Sequence, residues 1–362
     1  MKGIILAGGT GSRLRPITHT GPKQLVPVAN KPVLEYAIED LVEAGIDEIG
    51  IVLGQTGRDA IQAYCGTGDA WNVEITYIVQ GEPLGLAHAV GCVRDFVRDE
   101  PFVVYLGDDL LEEGIGPLVE TFDPARYAGT VGLQPVDEPA RYGIVERDET
   151  GDVIELVEKP ADPPSNLALV GIYVFTAAIF DQIEELEKSW RGEYEITDAI
   201  QGLLDDGLQI QGHVIDGWWK DTGKPEDVLD ANRLVLEDAE PNIAGTIEDD
   251  GSVTGRLILG AGSVIEAGAT VRGPVSVGEN THIGADAYLG PYTSVGDDCV
   301  IEGVHLENSV IVGGAEIVGD PRTDERPITD SLIGRDATVE VGRAKQPAGN
   351  RFVIGRNAAV TL

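Results

Sequence analysis

The last third of the chain carries a repeat of six residues. Starting at Leu259, every sixth residue is aliphatic over eight successive positions, and all but one of the residues four places after them are small or medium in size. A period of six with one aliphatic and one small inward residue suits a triangular coil of three hexads per turn. The pattern predicts a left-handed parallel β-helix. Isolated repeats follow at Ile333 and Ile354, and Asp320–Pro327 reads as an inserted loop.

The first two thirds of the chain alternate short β-rich runs with helical segments. The runs include Gly3–Ala7, Ile49–Leu53, Ile75–Val79 and Phe102–Leu106. The segment Pro32–Ala44 has apolar residues at helical spacing and ends before a glycine. Strands that alternate with helices imply crossovers and a mostly parallel, Rossmann-like α/β sheet. We therefore expect two domains, residues 1–240 and 241–362. Flat coil faces favour a homo-oligomer, for which a trimer through the β-helix is one arrangement.

The charge of the chain constrains its partners. Its formal net charge is −36 at pH 7, which excludes nucleic acid as an expected partner. The acidic residues are spread along the whole chain, which indicates a surface suited to concentrated salt, where like-charge repulsion is screened. We expect stability and activity to be higher in molar than in dilute salt. Equal stability and activity in both, measured on the purified protein, would contradict this interpretation.

The sequence predicts a cytoplasmic protein. No run of apolar residues is long enough for a membrane span, and the chain enters its first strand directly after Met1-Lys2-Gly3, without a leader pattern. Its three cysteines are far apart and lack Cys-x-x-Cys spacing, so neither a disulfide framework nor a zinc site is predicted.

A glycine-rich loop follows the first predicted strand. It comprises Gly8, Gly9, Thr10 and Gly11, and Arg13 and Arg15 follow closely. A P-loop would need Lys after its last glycine, and a dinucleotide fingerprint would need glycine in place of Leu14. The remaining interpretation is a loop whose backbone N–H groups surround an anion while the arginines add permanent charge. A nucleoside triphosphate fits this description.

Six motifs in order carry a specific resemblance. The glycine loop continues as GGxGxRLxPxT over residues 8–18 and is followed by Lys23-Gln24-Leu25; further motifs are LGDD (106–109), EKP (158–160), RGEYEITD (191–198) and WKDTG (219–223). This series resembles the sugar-1-phosphate nucleotidyltransferases, most closely the long form of the glucose-1-phosphate thymidylyltransferases, which also ends in a hexapeptide-repeat β-helix. The resemblance extends over the whole chain.

The resemblance implies a reaction and its charged groups. An oxygen of a sugar 1-phosphate attacks the α-phosphorus of the nucleotide, and pyrophosphate leaves. Arg13 and Lys23 would bind the polyphosphate and stabilise the transition state, in which two anions meet. Asp108 and Asp221 would bind Mg²⁺, a hard cation that prefers a few carboxylates together with phosphate oxygens.

The resemblance also implies the substrate-binding residues. For the nucleotide they are Gly8, Gly9, Gly11, Gln24, Gln80 and Gly85; for the hexose and its phosphate they are Gly143, Glu158, Lys159, Tyr173, Arg191 and Glu195. Gln24 after the predicted catalytic lysine favours dTTP. An amide pairs with groups that uracil and thymine share, so the residues also allow UTP. Glucose 1-phosphate is the sugar expected from the resemblance, since hydroxyl orientation cannot be read from these residues.

Two further functions belong to other classes. Hexapeptide domains often have acyltransferase histidines, for which His282 and His305 are the candidates, and the sequence favours locally hydrogen-bonded or solvated histidines instead. A non-catalytic nucleotide-sugar sensor is the other alternative. It ranks below the enzyme because both predicted phosphate cations and both predicted metal carboxylates are present.

Overall fold

The computed structural model describes residues 1–249, 252–319, 327–341 and 352–361. It forms two compact units. The sheet unit comprises Met1–Thr10 and Leu34–Asp221, and the β-helix unit comprises Gly11–Val33 and Thr222–Leu362. The domain division predicted at residue 240 stays a prediction.

The helices of the described residues are short, and five further segments form single 3-10 turns. The helices are α1 (Val33–Glu43), α2 (Arg58–Cys65), α3 (Leu86–Gly91), α4 (Arg94–Val97), α5 (Gly116–Thr121), α6 (Ile179–Glu185), α7 (Ile196–Asp205) and α8 (Pro225–Asp238). The 3-10 turns are Ser12–Leu14, Ile17–His19, Lys23–Leu25, Asp69–Trp71 and Pro139–Arg141. Helix α1 matches the predicted helix within one residue at each end.

Thirteen strands precede residue 222 among the described residues. They are β1 (Lys2–Ala7), β2 (Pro27–Val28), β3 (Lys31–Pro32), β4 (Glu48–Leu53), β5 (Glu74–Val79), β6 (Phe102–Leu106), β7 (Asp109–Leu111), β8 (Gly129–Pro135), β9 (Gly143–Arg147), β10 (Val153–Glu158), β11 (Leu167–Phe175), β12 (Ile210–Val214) and β13 (Trp219–Asp221). Strands β2 and β3 form a hairpin of the β-helix unit, and β7 pairs with β13 in the sheet unit.

The sheet unit is built on nine strands. Their order is β10-β9-β11-β6-β1-β4-β5, with β8 beside β11 and β12 beside β8. Strands β6, β1, β4 and β5 are parallel, as predicted for the alternating part of the sequence. Strand β11 is antiparallel to β6, β8 and β9, so the sheet becomes mixed beyond the parallel part. Ile4, Val104 and Phe175 belong to its buried core.

The C-terminal strands form three parallel sheets. They are β14 (Asn242–Ile243), β15 (Thr246–Ile247), β16 (Val253–Thr254), β17 (Leu257–Leu259), β18 (Val264–Ile265), β19 (Thr270–Arg272), β20 (Val275–Val277), β21 (His282–Ile283), β22 (Tyr288–Leu289), β23 (Thr293–Val295), β24 (Val300–Glu302), β25 (His305–Glu307), β26 (Val310–Ile311), β27 (Glu316–Gly319), β28 (Ile328–Thr329), β29 (Leu332–Ile333), β30 (Thr338–Val341), β31 (Val353–Ile354) and β32 (Ala359–Thr361). Every third strand pairs, which is the arrangement of the left-handed β-helix predicted from the hexads.

The hexad repeat positions the core of the β-helix. Leu259 pairs with Val277, and Val277 pairs with Val295, so equivalent residues stack directly above one another. All eight predicted aliphatic positions are buried: Leu259, Ile265, Val271, Val277, Ile283, Leu289, Val295 and Ile301. After Ile301 the coil is shorter than the six-residue repeat predicts. Leu306 pairs with Leu289 and occupies the next inward position. His305, the exception in the small-residue series, is accordingly half-buried rather than inside.

The isolated repeats, the predicted loop, the cysteines and the helices can each be compared with the structure. Ile333 and Ile354, the isolated repeats, are buried in the same core. The predicted loop Asp320–Pro327 lies outside the described residues except for Pro327. Cys65, Cys92 and Cys299 are free thiols. Among the helices that the structure describes, none combines the length and the apolar character needed to cross a membrane.

Candidate functional site

The carboxyl ends of the four parallel strands meet at one edge of the sheet unit. Gly8 follows β1, Gly54 follows β4, Gln80 follows β5, and Asp108 lies two residues beyond β6. Ligands of open α/β sheets bind at this edge, because the loops that follow the strands gather there. Two predicted nucleotide residues, Gly8 and Gln80, and the predicted metal ligand Asp108 therefore share an edge.

Glycines at the ends of β1 and β4 allow the two chains to approach each other closely. A Cβ atom on Gly8 would lie 2.6 Å from Oε1 of Gln80, and a Cβ atom on Gly54 would overlap the carbonyl oxygen of Gly8. Gly9 is exposed in the same loop. The missing side chains leave the backbone of this loop accessible to a ligand.

The side chain of Gln80 is oriented by two neighbours. Its Nε2 donates to the carbonyl oxygen of Gly85 at 3.3 Å and lies 3.3 Å from Nδ1 of His88. Gly85 has φ +115°, and a Cβ atom there would overlap the carbonyl oxygen of Tyr194. A side chain at Gly85 would therefore both strain the backbone and displace the partner of Gln80. The two predicted base-binding residues thus form one local arrangement.

The segment Gly11–Val33, which we call the signature segment, carries the predicted catalytic cations. Gly11 has φ +60°, and its carbonyl oxygen accepts a hydrogen bond of 2.6 Å from the hydroxyl of Thr18. A Cβ atom added to Gly11 would lie 3.0 Å from Cβ of Lys23. Arg13 is exposed on the first 3-10 turn, and Lys23 is half-buried on the third. Gly11 and Lys23 therefore pack together.

Gln24 is a fully buried polar side chain beside Lys23. Both of its amide atoms are buried and have no hydrogen-bond partner within the described ranges. Leaving a buried amide without a partner is costly, and native structures rarely do so without a ligand or a water molecule. The nucleoside contact of Gln24 stays a prediction.

A short ladder brings the two predicted metal ligands near each other. Strand β7 begins directly after Asp108, and strand β13 ends at Asp221; the two strands are antiparallel, with Asp221 opposite Asp109. Opposed residues of such a ladder have Cα atoms about 4.5–5.5 Å apart. Two carboxylates more than a hundred residues apart in sequence thus lie at adjacent positions.

The donor set fits a magnesium ion that is completed by substrate. No group of three or more His, Cys, Asp or Glu side chains able to hold a metal occurs in the residues that the structure describes. Mg²⁺ commonly takes only one or two carboxylates from the protein and fills its remaining positions with water and phosphate oxygens. Asp108 and Asp221 supply donors of that hard, anionic kind.

The predicted sugar-phosphate residues form a network of opposite charges. Glu158 ends β10 opposite Gly143, and its Oε1 lies 3.0 Å from Arg191 Nη1 and 3.2 Å from Lys159 Nζ. Arg191 also lies 3.4 Å from Glu195 Oε1. Glu158 therefore holds both cations close together. The two cations are able to bind an anion, and the glutamates beside them are able to accept hydrogen bonds from hydroxyl groups.

Tyr173 lies in the interior near the same charges. It is buried on β11, and burial raises the pKa of its phenol, an effect to which the carboxylates of Asp109 and Glu158 add. Five of the six predicted sugar residues are thus connected by contacts or strand pairing, and Tyr173 is linked to them electrostatically.

Glu195 gives this network a pH-dependent stability. Burial raises the pKa of Glu195 above its ordinary value of 4.5; the Ser189 hydroxyl, which donates to it, opposes the shift. Because the folded state favours the protonated carboxyl, its contribution to stability is fully present below pH 4.5 and is lost as the pH rises through the raised pKa. We expect Glu195→Gln to flatten the decline of the free energy of unfolding above pH 4.5.

Denaturant titrations at fixed high salt, between pH 4.5 and 7, measure this effect. Glu187→Gln is the matched control, because Glu187 is exposed on the same loop. Equal pH dependence in the two variants would contradict the role assigned to Glu195.

Four residues of the site that act through neighbours were not predicted from the sequence. They are His88 beside Gln80, Asp109 opposite Asp221, and Ser189 and Thr197, whose hydroxyls donate to Glu195 and Glu158. Asp109 and Thr197 had a signal, since they belong to the LGDD and RGEYEITD motifs, whereas His88 and Ser189 lie outside every motif.

Both histidines of the β-helix have local partners. His282 Nε2 lies 3.3 Å from Glu266 Oε1, and the ring of His305 lies 5.4 Å from that of Tyr288. The preference for solvated or locally hydrogen-bonded histidines at these positions stays a prediction.

Comparison with known proteins assigns the family. The family "Nucleotidyl transferase" matches residues 2–238, and "Hexapeptide repeat of succinyl-transferase" matches residues 274–304. The chain belongs to the nucleotidyl transferase family. This nucleotidyltransferase is 57% identical, over 100% of both chains, to the low-salt glycan biosynthesis nucleotidyltransferase Agl11 of Haloferax volcanii. It is 46% identical to a glucose-1-phosphate thymidylyltransferase of Streptomyces antibioticus, over 100% of this chain and 99% of that one.

A solved structure matches about two thirds of the enzyme. A crystal structure of a Bacillus anthracis protein, titled as a glucose-1-phosphate thymidylyltransferase with sucrose, aligns with a TM-score of 0.62 and 39% identity; the match covers 67% of this chain and 97% of that one. The resemblance to the thymidylyltransferases that the motifs indicated is confirmed over the full length by the match to the Streptomyces antibioticus enzyme.

Proposed function

We propose that this nucleotidyltransferase transfers the thymidylyl group of dTTP to glucose 1-phosphate, with dTDP-glucose and pyrophosphate as products. The observation that carries the proposal is the ladder between β7 and β13, which sets Asp221 opposite the residue after Asp108. The full-length similarity to a glucose-1-phosphate thymidylyltransferase supports the choice of nucleotide and sugar.

The proposed reaction assigns each group a task. The glycine loop and the cations Arg13 and Lys23 bind the triphosphate, and Gln24, Gln80 and Gly85 bind the nucleoside. Lys159 and Arg191 bind the phosphate of the sugar, while Glu158 and Glu195 accept its hydroxyls. Asp108 and Asp221 would hold Mg²⁺, which would supply positive charge to the reacting phosphates.

One bond forms and one breaks in this reaction. A phosphate oxygen of glucose 1-phosphate forms a bond to the α-phosphorus, and the bond from that phosphorus to the oxygen bridging it to the β-phosphorus breaks. Pyrophosphate leaves with the electron pair, so no general base is needed. The contribution of Arg13 and Lys23 is to offset charge that would otherwise keep two anions apart, and to stabilise the charge on the leaving group.

A substrate matrix tests this function. Pyrophosphate release is measured with Mg²⁺, in molar and in dilute KCl, for dTTP and UTP against several hexose 1-phosphates. We expect the largest kcat/KM for dTTP with glucose 1-phosphate in molar KCl. A larger value for UTP would make the enzyme a uridylyltransferase, an activity named for AglF of Haloferax volcanii, which is 40% identical over 66% of this chain.

Two other outcomes would overturn the assignment. Tight nucleotide binding without turnover for any pair would favour the sensor. Sustained release of CoA from acetyl-CoA with glucosamine 1-phosphate would show that the β-helix has acyltransferase activity.

A further inference from the structure

The turn between β2 and β3 has an unusual backbone. The hairpin pairs Val28 with Lys31, which leaves Ala29 and Asn30 as the two turn residues. Both have positive φ, 49° for Ala29 and 67° for Asn30. Such turns favour Asn-Gly or Gly-Gly, and alanine is disfavoured there. Contacts around the turn must therefore hold it in place.

Two asparagines provide those contacts. The N–H of Ala29 donates to Oδ1 of Asn232 at 2.8 Å. Nδ2 of Asn30 donates to Oγ of Ser276 and to the carbonyl oxygen of Val295, each at 2.9 Å. The turn of the signature segment is thus bonded both to helix α8 and to two coils of the β-helix.

Asn232 is the centre of this network. It is fully buried, and its Oδ1 also accepts a hydrogen bond of 2.7 Å from the hydroxyl of Ser294. Its Nδ2 donates to the carbonyl oxygen of Tyr292 at 2.9 Å. One side chain therefore joins the turn, helix α8 and strand β23.

The two serines face away from the β-helix core. Side chains alternate along a strand, and the neighbours of Ser276 and Ser294, Val277 and Val295, point inward. Yet Ser276 and Ser294 are only 2% and 0% exposed. The equivalent outward residues of the neighbouring sheet, such as His282, are half-buried. The outward serines are covered, and Asn30 and Asn232 are their hydrogen-bond partners.

The turn is connected to Lys23 by a short stretch of chain that is held by backbone hydrogen bonds. The 3-10 turn Lys23–Leu25 is closed by Val26 N–H, which donates to the carbonyl oxygen of Lys23 at 3.0 Å, and β2 begins at the next residue. Val33 N–H donates back to the carbonyl oxygen of Val26 at 3.2 Å. A displacement of the turn would therefore carry Lys23 with it.

We propose that Asn30, Asn232, Ser276 and Ser294 are positioning residues for Lys23. The β-helix then contributes to nucleotidyl transfer by fixing the signature segment. This inference rests on the proposed function, because it takes Lys23 to be the catalytic cation. A misplacement of about 1 Å in a catalytic group can cost about 100-fold in rate, so the effect falls on kcat.

Asn30→Gly is the most direct variant. It keeps the left-handed turn, which glycine adopts readily, and removes the hydrogen bonds to Ser276 and Val295. We expect kcat to fall by about 10- to 100-fold, with the KM for glucose 1-phosphate unchanged, because the residues predicted to bind the sugar belong to the sheet unit. Circular dichroism should stay near that of the wild type, and the melting temperature should fall only as far as the loss of two partly buried hydrogen bonds requires.

A pair of serine variants separates positioning from stability. Ser294 and Ser309 are both fully buried in the β-helix, but the hydroxyl of Ser309 donates within its own coil, to the carbonyl oxygen of Glu307. We expect Ser294→Ala and Ser309→Ala to lower the melting temperature similarly and only Ser294→Ala to lower kcat per folded enzyme. Equal kcat values in the two variants would overturn the proposal.

A double variant tests the path through Lys23. If the network acts through that side chain, Asn30→Gly should add little to the loss already caused by Lys23→Ala. Wild-type kcat in Asn30→Gly, with Lys23→Ala impaired, would overturn this inference and leave the proposed function intact. Absence of turnover by the wild type on every substrate pair would overturn the proposed function, and the inference with it.

Discussion

Replacement of Lys23 by alanine is expected to lower the kcat for pyrophosphate release by about 100- to 1000-fold, the usual cost of removing one group that stabilises charge in a transition state. Lys23 packs on Gly11, where the glycine loop turns, and precedes the buried amide of Gln24. Steady-state kinetics with dTTP and glucose 1-phosphate measure the effect. Lys23→Arg should recover part of the rate, because it keeps the charge but changes the geometry of the donors.

Arg126→Ala is the charge-matched control for this experiment. It also removes one positive charge, but from an exposed side chain of the sheet unit that pairs with the half-buried Asp152. We expect its kcat to equal that of the wild type. A kcat for Lys23→Ala within threefold of the wild type would remove Lys23 from the catalytic groups.

Replacement of Asp221 by asparagine is expected to lower kcat by a similar factor, because it would weaken the binding of Mg²⁺. The amide keeps the shape of the side chain at the end of β13 and removes its charge, so the ladder with β7 should persist while metal affinity falls. We expect kcat to fall by about 100-fold or more and the Mg²⁺ concentration for half-maximal rate to rise by about 10-fold or more. Titration of the rate with Mg²⁺ measures both.

Asp216→Asn tests whether lost negative charge alone explains the result. Asp216 is exposed, five residues before Asp221. Its magnesium dependence should match that of the wild type. An unchanged magnesium dependence in Asp221→Asn would exclude that carboxylate as a ligand.

The fold was predictable wherever the pattern of the sequence is local. The hexads give the buried positions of the β-helix up to Ile301, because each coil repeats the same two inward residues. The pattern fails at His305, where a shorter coil changes the register. The four parallel strands were predicted from apolar runs, but the antiparallel pairing of β11 was not, because strand direction depends on partners far away in sequence.

The candidate site was predictable only through its motifs. Glu158, Arg191 and Glu195 were selected by resemblance, and the network that joins them follows from strand pairing and a loop that no local pattern specifies. Asp108 and Asp221 were likewise paired by their motifs, and only the ladder explains how they become neighbours. Asn30 and Asn232 gave no signal at all, because their bonds join segments that are 60 to 265 residues apart.

The division of the chain inside its glycine loop has a practical consequence for recombination. A chimera cut at residue 240 would present Asn30 and Asn232 to whatever a donor protein carries at the positions of Ser276 and Ser294, respectively. Transplanting Gly11–Val33 together with everything from Thr222 onward keeps those partners matched. Hybrid enzymes of this architecture should therefore be joined after residues 10, 33 and 221. Two separate segments of the chain are then exchanged instead of one.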